Sequence, residues 1–188
     1  MALHFSKEEF EKRKLKTLQS MKEQNLDALL MFRQESMFWL TGYDTFGYVF
    51  FQTLILDQNG KIILLTRAPD LRQAQNTSNI SDIRIWVDKD GSNPTDDLKT
   101  ILNEQNLKGK KIGIEYEAYG MTGRNALRLN KSLDNYCSVE DQSELITKHR
   151  VIKSIEEIVY VKKAAELADK ALDEAWNYVK AGASEAKI

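Results

Sequence analysis

The chain has 188 residues, of which 42% are hydrophobic and 29% charged, and its formal net charge is −1. These values are typical of a folded globular protein with one domain, or one domain and a further piece, and they provide no basic surface for nucleic acid or an anionic membrane. The single cysteine, Cys137, cannot form an intramolecular disulfide, and its apolar surroundings favour an inert core thiol. The N-terminal residues have no signal-peptide pattern. We therefore expect a cytoplasmic protein that binds neither nucleic acid nor a membrane.

The first part of the chain alternates helical and strand patterns. Ser6 and Glu9 have capping-box spacing, which predicts a helix from that point to about Gln24. The inward positions of this helix are predicted to be Phe10, Leu15, Leu18 and Met21. The patterns that follow predict a strand at 27–32, a short helix at 35–42 and strands at 48–56 and 61–66. The Asn-Gly pair at 59–60 predicts a tight hairpin between the last two strands.

The middle of the chain continues the alternation. Its patterns predict a short helix at 70–75, a strand at 82–87, a helix opened by Asn93 and Pro94, a strand at 111–115, a helix at 122–133, a short buried strand at 136–139 and a short helix at 143–149. Strands that alternate with helices indicate an α/β domain in which helices flank a sheet. The hairpin makes that sheet mixed rather than wholly parallel.

The last fifth of the chain predicts one long helix, from Ser154 to Lys180, opened by a second capping box with Glu157. Apolar residues recur along it at steps of three and four and form a stripe on one face. No strand follows this helix, so we predict a first domain of residues 1–149 and a second segment of residues 150–188. The stripe should be incompletely covered within this chain, and we expect it to contact the first domain or a second copy of the chain.

Residue by residue, the chain shows no catalytic constellation. It has neither of the glycine-rich phosphate-binding patterns and no nucleophile elbow. His4 and His149 lie at opposite ends without metal-ligand spacing. We interpret His4 as part of a frayed terminus and His149 as either a solvated residue or a residue at the C-terminal end of a helix. A site on Glu115 and Glu117 needs two further partners that the sequence does not identify. Arg67, at the end of its strand, is interpreted as solvated or ion-paired.

One stretch, residues 39–48, is unusual because it places four aromatic residues, two glycines and an aspartate between structured elements. One interpretation is that Trp39, Phe46 and Tyr48 fill the core while Gly42 ends a helix. The other is that the loop forms part of a substrate wall, since loops on a rigid scaffold often carry binding residues. The candidate wall residues are Tyr43, Asp44, Phe46 and Tyr48.

Several segments fall in an order that matches a known family. They are residues 10–13, 26–30, 38–43, 111–115 and 150–154, the last followed by Glu157 and Ile158. Together they resemble the N-terminal half of the creatinase, prolidase and aminopeptidase P family, and they are most similar to bacterial proteins called Xaa-Pro peptidases. The ordered set covers nearly the whole chain.

The resemblance implies a ribonuclease-H-like mixed sheet for the first domain and marks Arg150 as the start of a C-terminal domain with the pita-bread fold. In the family, that second domain holds two divalent metal ions, usually manganese, cobalt or zinc, which activate the water that attacks the amide. The helix after Ser154 is then the opening helix of a truncated pita-bread domain. Because the sequence stops at Ile188, before the metal ligands, we expect a fragment without metal ions or peptidase activity of its own.

The resemblance also implies a homodimer in which the N-terminal domain of one subunit reaches the active site of the other with residues near a Phe-Gly pair. By position, Phe46 and Tyr48 are predicted to line that substrate pocket, with Tyr43 as a third candidate. Creatinase has an arginine for the substrate carboxylate where this chain has Tyr48, which argues against creatine. The substrate is left open among proline dipeptides, longer peptides and other small amides.

A competing interpretation is a non-catalytic peptide- or protein-binding module of the same fold. Some relatives of this domain belong to chromatin factors, but the near-neutral charge and the lack of an acidic tail argue against a histone partner. Nuclease activity is disfavoured because no acidic triad is placed on the strands. Sequence beyond Ile188 discriminates the two main interpretations, since two Asp, one His and two Glu there indicate an enzyme and their loss indicates a module.

Overall fold

The computed structural model describes residues 3–187, which contain seven α-helices and six β-strands. The helices are α1 (Lys7–Glu23), α2 (Gln34–Thr41), α3 (Leu71–Thr77), α4 (Pro94–Glu104), α5 (Gly123–Leu133), α6 (Leu145–Val151) and α7 (Ile155–Tyr178). The strands are β1 (Ala28–Met31), β2 (Thr53–Asp57), β3 (Ile62–Arg67), β4 (Asp82–Trp86), β5 (Lys111–Ile114) and β6 (Ser138–Asp141). Short 3₁₀ helices lie at Ala68–Asp70 and Glu185–Lys187. The order of helices and strands is the one that the sequence patterns predict.

The six strands form one mixed sheet in the order β4-β3-β2-β1-β5-β6. β2 pairs antiparallel with β1 and β3, whereas the other three pairs are parallel. The β2–β3 hairpin is closed by the carboxylate of Asp57, which accepts hydrogen bonds from the amides of Asn59 and Lys61 at 2.8 and 2.9 Å. Gly60 then has a φ of +83°, the left-handed conformation that the Asn-Gly pair predicts.

Successive residues of the central strands face two separate hydrophobic clusters, because side chains alternate between the two faces of a sheet. One cluster joins Leu30, Ile55, Ile63 and Ile112 to Leu98, Leu102, Leu129 and Leu133 of α4 and α5. The other joins Leu29, Leu54, Leu56 and Leu64 to Met21, Met37, Leu40, Ala74, Leu145 and Ile146 of α1, α2, α3 and α6. The predicted mixed sheet with helices on both faces is therefore confirmed.

The start of β2 differs from the prediction. The strand begins at Thr53, five residues later than expected, and the apolar residues before it form a turn. In that turn the amide of Phe50 donates to the carbonyl of Gly47 at 2.9 Å. The apolar run at 48–51 resembles a strand in sequence, but its backbone is bonded to itself rather than to a neighbouring strand.

Two other positions also differ. The strand predicted as buried at 136–139 is β6, which lies at the edge of the sheet with all four residues exposed, so Cys137 is half-buried just before it. Leu15, predicted to face inward, is 61% exposed. The inner side of α1 is instead occupied by Arg13 and Thr17, and a guanidinium nitrogen of Arg13 donates to the carbonyl of Trp39 at 2.8 Å.

The chain divides into two compact units, the first ending at Val151 and the second beginning at Ile152. The second unit consists mainly of α7, whose capping box is complete because Ser154 and Glu157 each accept the other's backbone N–H. None of the 24 residues of α7 is buried, and Leu172 and Trp176 on its apolar stripe are 58% and 64% exposed. Nowhere in residues 3–187 is a helix long and apolar enough to span a bilayer.

Candidate functional site

The candidate site centres on residues 45–50, which we call the aromatic loop, between α2 and β2. Buried and exposed residues alternate along its first half, since Thr45 and Gly47 face inward and Phe46 and Tyr48 face outward. Phe46 is 87% exposed and Tyr48 is 45% exposed. Val49 and Phe50 are exposed as well, and a contiguous group of exposed apolar residues is a candidate contact surface.

The core interpretation of residues 39–48 holds for some of these residues and not for others. Trp39 is buried and Gly42 ends α2 in the left-handed conformation, as the core interpretation expects. Phe46 and Tyr48 do not fill the core, so that interpretation is wrong for them. The two outward aromatic residues remain candidates for a substrate wall.

Tyr43 is separated from them, because it is fully buried. Its hydroxyl donates to Oε1 of Gln52 at 2.6 Å and lies 3.2 Å from the hydroxyl of Thr66. Burial raises the pKa of this phenol, so it stays protonated and available as a hydrogen-bond donor. The structure therefore places Tyr43 beneath the loop and not at its surface, while the neighbouring Asp44 is exposed.

Gln52 connects this buried layer to the aromatic loop. Its side-chain nitrogen donates to the carbonyl of Gly47 at 2.6 Å, and its side-chain oxygen accepts from Thr66 at 2.9 Å as well as from Tyr43. The amide of Gly47 donates to the hydroxyl of Thr45 at 2.9 Å. The inner side of the loop is thus bound to the sheet by side chains rather than by strand pairing.

The far end of the loop is held by Arg67. Its Nε donates to Asp70 at 2.9 Å, which confirms the ion-paired interpretation of this arginine. Its guanidinium also lies 3.4 Å from the ring centroid of Phe50, a stacking contact between a cation and an aromatic face. On the other side, the backbone of Phe50 lies so close to Gly120 that a Cβ there would be 2.2 Å from the Phe50 carbonyl oxygen.

A groove of about 270 Å³ lies beside the loop. Its lining residues are Arg33, Gln34, Glu35, Tyr48, Glu117, Ala118 and Tyr119. The rings of Tyr48 and Tyr119 meet edge to face at 5.6 Å, and Arg33 pairs with Glu117 at 3.1 Å. The groove therefore combines an aromatic wall with an ion pair, a lining suited to a small amphipathic ligand.

Behind the groove lies Glu115, a carboxylate with no exposed surface. It accepts hydrogen bonds from the amides of Phe32 and Arg33 at 3.1 and 3.0 Å and from the hydroxyl of Ser36 at 2.6 Å. Burial raises the pKa of Glu115 to about 7, and the three donors oppose this rise without cancelling it. Sequence patterns do not predict this buried, hydrogen-bonded carboxylate, because its partners lie about 80 positions earlier in the chain.

His149 is not a solvated residue, although it does lie in the last turn of α6. It is half-buried, its ring stacks on Trp39 with centroids 6.0 Å apart, and its Nε2 lies 3.1 Å from the hydroxyl of Ser20. Burial lowers the pKa of His149 and raises that of the Cys137 thiol. A raised thiol pKa disfavours the reactive thiolate, in agreement with the inert interpretation of Cys137.

The ligand-type side chains of the described residues do not cluster. Within residues 3–187, no three His, Cys, Asp or Glu side chains lie together in a way that could hold a metal ion. Glu115 and Glu117 do not form such a group, because the first is enclosed by backbone and hydroxyl donors and the second pairs with Arg33.

Comparison with known proteins gives a family match and several relatives. The family model described as the Creatinase/Prolidase N-terminal domain matches residues 13–152. An uncharacterized hydrolase/peptidase of Sinorhizobium fredii is 29% identical over 180 residues, which cover 92% of this chain and 46% of the relative. The ectoine hydrolase of Halomonas elongata is 26% identical over 174 residues, which cover 89% of this chain and 43% of the relative.

The fold also matches a solved structure. The recombinant prolidase from Thermococcus sibiricus aligns with a TM-score of 0.77 at 23% sequence identity, over 94% of this chain and 46% of that chain. The alignment shows that the two share a fold over this region. The chain spans about half the length of the curated relatives that it matches.

Proposed function

Because this chain belongs to the creatinase/prolidase N-terminal domain family, we propose that it is the specificity and dimerisation domain of a cytoplasmic Xaa-Pro peptidase-type hydrolase. The observation that carries the proposal is the aromatic loop, which holds Phe46 outward with 87% of its surface exposed. An aromatic residue held this way on a braced loop is suited to enter a pocket on another subunit. In a homodimer, Phe46 and Tyr48 then form part of the wall of the neighbouring subunit's substrate pocket.

The proposed substrate is a peptide with proline in its second position or another small amide. The names of two relatives support this range of substrates, since one is called a hydrolase/peptidase and the other an ectoine hydrolase. Two divalent metal ions, manganese, cobalt or zinc, are proposed for the full-length protein. They do not fit the described part of this chain, where no ligand group is formed, and we propose substrate contacts as the contribution of residues 3–187.

The loop is tested by Phe46→Ala and Tyr48→Ala in the full-length protein. We expect kcat/KM to fall by more than about tenfold for each variant, because truncation of an aromatic hot-spot residue in a binding pocket typically costs about 2 kcal/mol or more. Leu127→Ala is the matched control, since Leu127 is 74% exposed but lies on α5. Unchanged kinetics of both loop variants with several Xaa-Pro substrates would remove the proposal.

The isolated chain is expected to lack peptidase activity. When it is incubated with manganese and a Xaa-Pro dipeptide, the amount of free proline should equal that in a sample containing a chelator. The physical reason is that hydrolysis in this family depends on metal-activated water, and no ligand group is present within residues 3–187. Metal-dependent proline release from purified chain would contradict this expectation.

A non-catalytic peptide-binding module is the second candidate function. It is favoured by the groove of about 270 Å³ lined by Tyr48 and Tyr119, which lies entirely within the first compact unit. Titration calorimetry of the chain with a Xaa-Pro dipeptide separates the two functions. Saturable binding that is lost in Tyr119→Ala supports the module, whereas the absence of heat supports a domain that works only in the assembled enzyme.

A further inference from the structure

The side chain of Gln52 is held by hydrogen bonds on both sides and connects the buried layer to the aromatic loop. We call it the connector. It is 3% exposed, and its amide uses both acceptor positions of the oxygen and one strong donor of the nitrogen. The remaining donor points toward the hydroxyl of Thr45 at 3.5 Å. Because the carbonyl of Gly47 can only accept, the orientation of the Gln52 amide is determined by that contact.

Gly47 is the point at which the aromatic loop rests on this connector. A Cβ at this position would lie 2.4 Å from Nε2 of Gln52 and 2.7 Å from Oδ2 of Asp70. Those distances leave room only for glycine, so the loop backbone makes direct contact with both side chains. The carbonyl of Gly47 also accepts from the amide of Phe50, which closes the turn.

Other contacts hold the loop on either side of Gly47. Nε2 of Gln34 donates to the carbonyl of Thr45 at 2.9 Å, and the ring of Tyr48 meets that of Tyr119 edge to face at 5.6 Å. The amide of Phe46 lies 3.5 Å from the side-chain oxygen of Gln73, at the limit of a hydrogen bond. The stacking of Arg67 on Phe50 acts at the far end. The bond from Gln52 to Gly47 is the one that ties the backbone between Phe46 and Tyr48 to the buried layer.

We propose that Gln52 is the positioning residue of the aromatic loop, which it holds in one conformation so that Phe46 and Tyr48 are presented outward before any partner is met. The contact of Phe46 and Tyr48 with a partner rests on the proposed function. The role of Gln52 in holding the loop does not depend on it. Ordering the loop in advance lowers the entropic cost of docking, since the loop need not be immobilised during binding.

Amide hydrogen exchange of this chain, measured by NMR, tests the holding role. In Gln52→Leu we expect the Phe50 amide to exchange about tenfold faster, while amides of β1 keep their rates, since one local hydrogen bond is lost and the sheet is intact. The matched control is Gln142→Leu, because Gln142 is also buried but follows β6, an edge strand separated from β2 by β1 and β5. Unchanged exchange at Phe50, or an equal increase throughout the chain, would overturn the proposal.

A second variant covers the case in which Gln52→Leu fails to fold. Gly47→Ala keeps every residue of the buried layer but adds a Cβ 2.4 Å from Nε2 of Gln52, so that Gln52 and the loop must separate. It should give the same local increase in exchange at Phe50. If Gly47→Ala exchanges as the unsubstituted chain does, the contact does not hold the loop and the proposal fails.

Kinetics of the full-length protein separate this proposal from the proposed function. If both proposals are right, Gln52→Leu lowers kcat/KM. Phe46→Ala then has a much smaller effect in the Gln52→Leu background than in the unsubstituted protein, because both changes act through the aromatic loop. Faster exchange at Phe50 with unchanged kinetics supports the holding role of Gln52 and contradicts the role of the loop in the neighbouring subunit's pocket.

Discussion

Glu115 shows how one buried charge can order the start of a helix. Its carboxylate accepts from the amides of Phe32 and Arg33, which precede α2, and from the hydroxyl of Ser36 in the first turn. No side-chain capping hydrogen bond is made by Arg33, the N-cap residue of α2. The Glu115 carboxylate, which follows β5, instead accepts from the amide of Arg33, as the glutamate of a capping box does for the amide of an N-cap residue. Removal of this acceptor would leave buried N–H groups without a partner.

The pH dependence of stability follows from this burial. The pKa of Glu115 rises from an ordinary 4.5 to about 7 in the folded chain. Between these values the folded chain retains a proton that the unfolded chain has released, so the free energy of unfolding falls as the pH rises. Glu115→Gln abolishes this titration while keeping an acceptor for the amides. We expect the stability of the variant relative to the unsubstituted chain to increase by about 3 kcal/mol between pH 4.5 and pH 8.

Urea denaturation at several pH values measures this difference. Comparison of the variant with the unsubstituted chain cancels the contribution of His149, whose lowered pKa makes stability rise with pH in an overlapping range. Glu144→Gln, at an exposed glutamate, is the control and should leave the pH dependence unchanged. A constant difference between Glu115→Gln and the unsubstituted chain from pH 4.5 to pH 8 would show that the carboxyl does not titrate in this range.

At the scale of elements, sequence patterns predict helix caps and turns well, because these features depend on neighbouring residues. The N-cap at Ser6, the capping box at Ser154, the Asp57–Gly60 turn and the left-handed Gly42 are all present, because each depends on residues within a few positions. The start of β2 was placed five residues too early, since the side chain of Gln52 and the approach of Gly120 hold the apolar run at 48–51 out of the sheet. Those contacts are not visible in hydrophobic periodicity.

The candidate site was predictable only in part for the same reason. Composition identified the aromatic loop, and the two exposed residues Phe46 and Tyr48 are among its candidates. Tyr43 could not be distinguished from them by sequence, because its burial depends on Gln52 and on Thr66 from the next strand. In the sequence, Glu115 stands out only as a possible metal ligand. Its contact with the start of α2 exists because β5 lies beside β1, and sequence patterns do not show that pairing.

The helix α7 allows a prediction for a single element. Ser154 accepts from the amide of Glu157, and the Glu157 carboxylate accepts from the amide of Ser154 at 2.7 Å. In an acetylated peptide of residues 152–187, Ser154→Ala should lower the helix content measured by circular dichroism, because loss of such a cap costs about 1 kcal/mol. Ser184→Ala, which lies beyond the end of α7, should have no effect. Equal spectra for the peptide and Ser154→Ala would contradict this role of the cap.

At the scale of the whole molecule, the division near Val151 predicts an independently folding domain. Among the described residues, every buried hydrophobic side chain lies at or before Ile146. A chain ending at Val151 should therefore unfold cooperatively, with a midpoint within about 2 °C of that of the 188-residue chain in a calorimetric scan. A chain ending at Glu140 is the contrasting variant and should be destabilised, because it lacks Leu145 and Ile146 in the core. Loss of the transition in the chain ending at Val151 would show that the second unit is required for folding.

The position of β1 between an antiparallel and a parallel neighbour also has a kinetic consequence. β1, β2 and β3 follow one another closely in sequence and can form a three-stranded sheet early. The pairing of β1 with β5 must bring together residues such as Phe32 and Glu115, which are 83 positions apart. Closing a loop of that length costs roughly 4 kcal/mol of chain entropy before any contact is gained. We therefore expect the β1–β5 seam, with the carboxylate of Glu115 that binds across it, to be the late and rate-limiting part of folding.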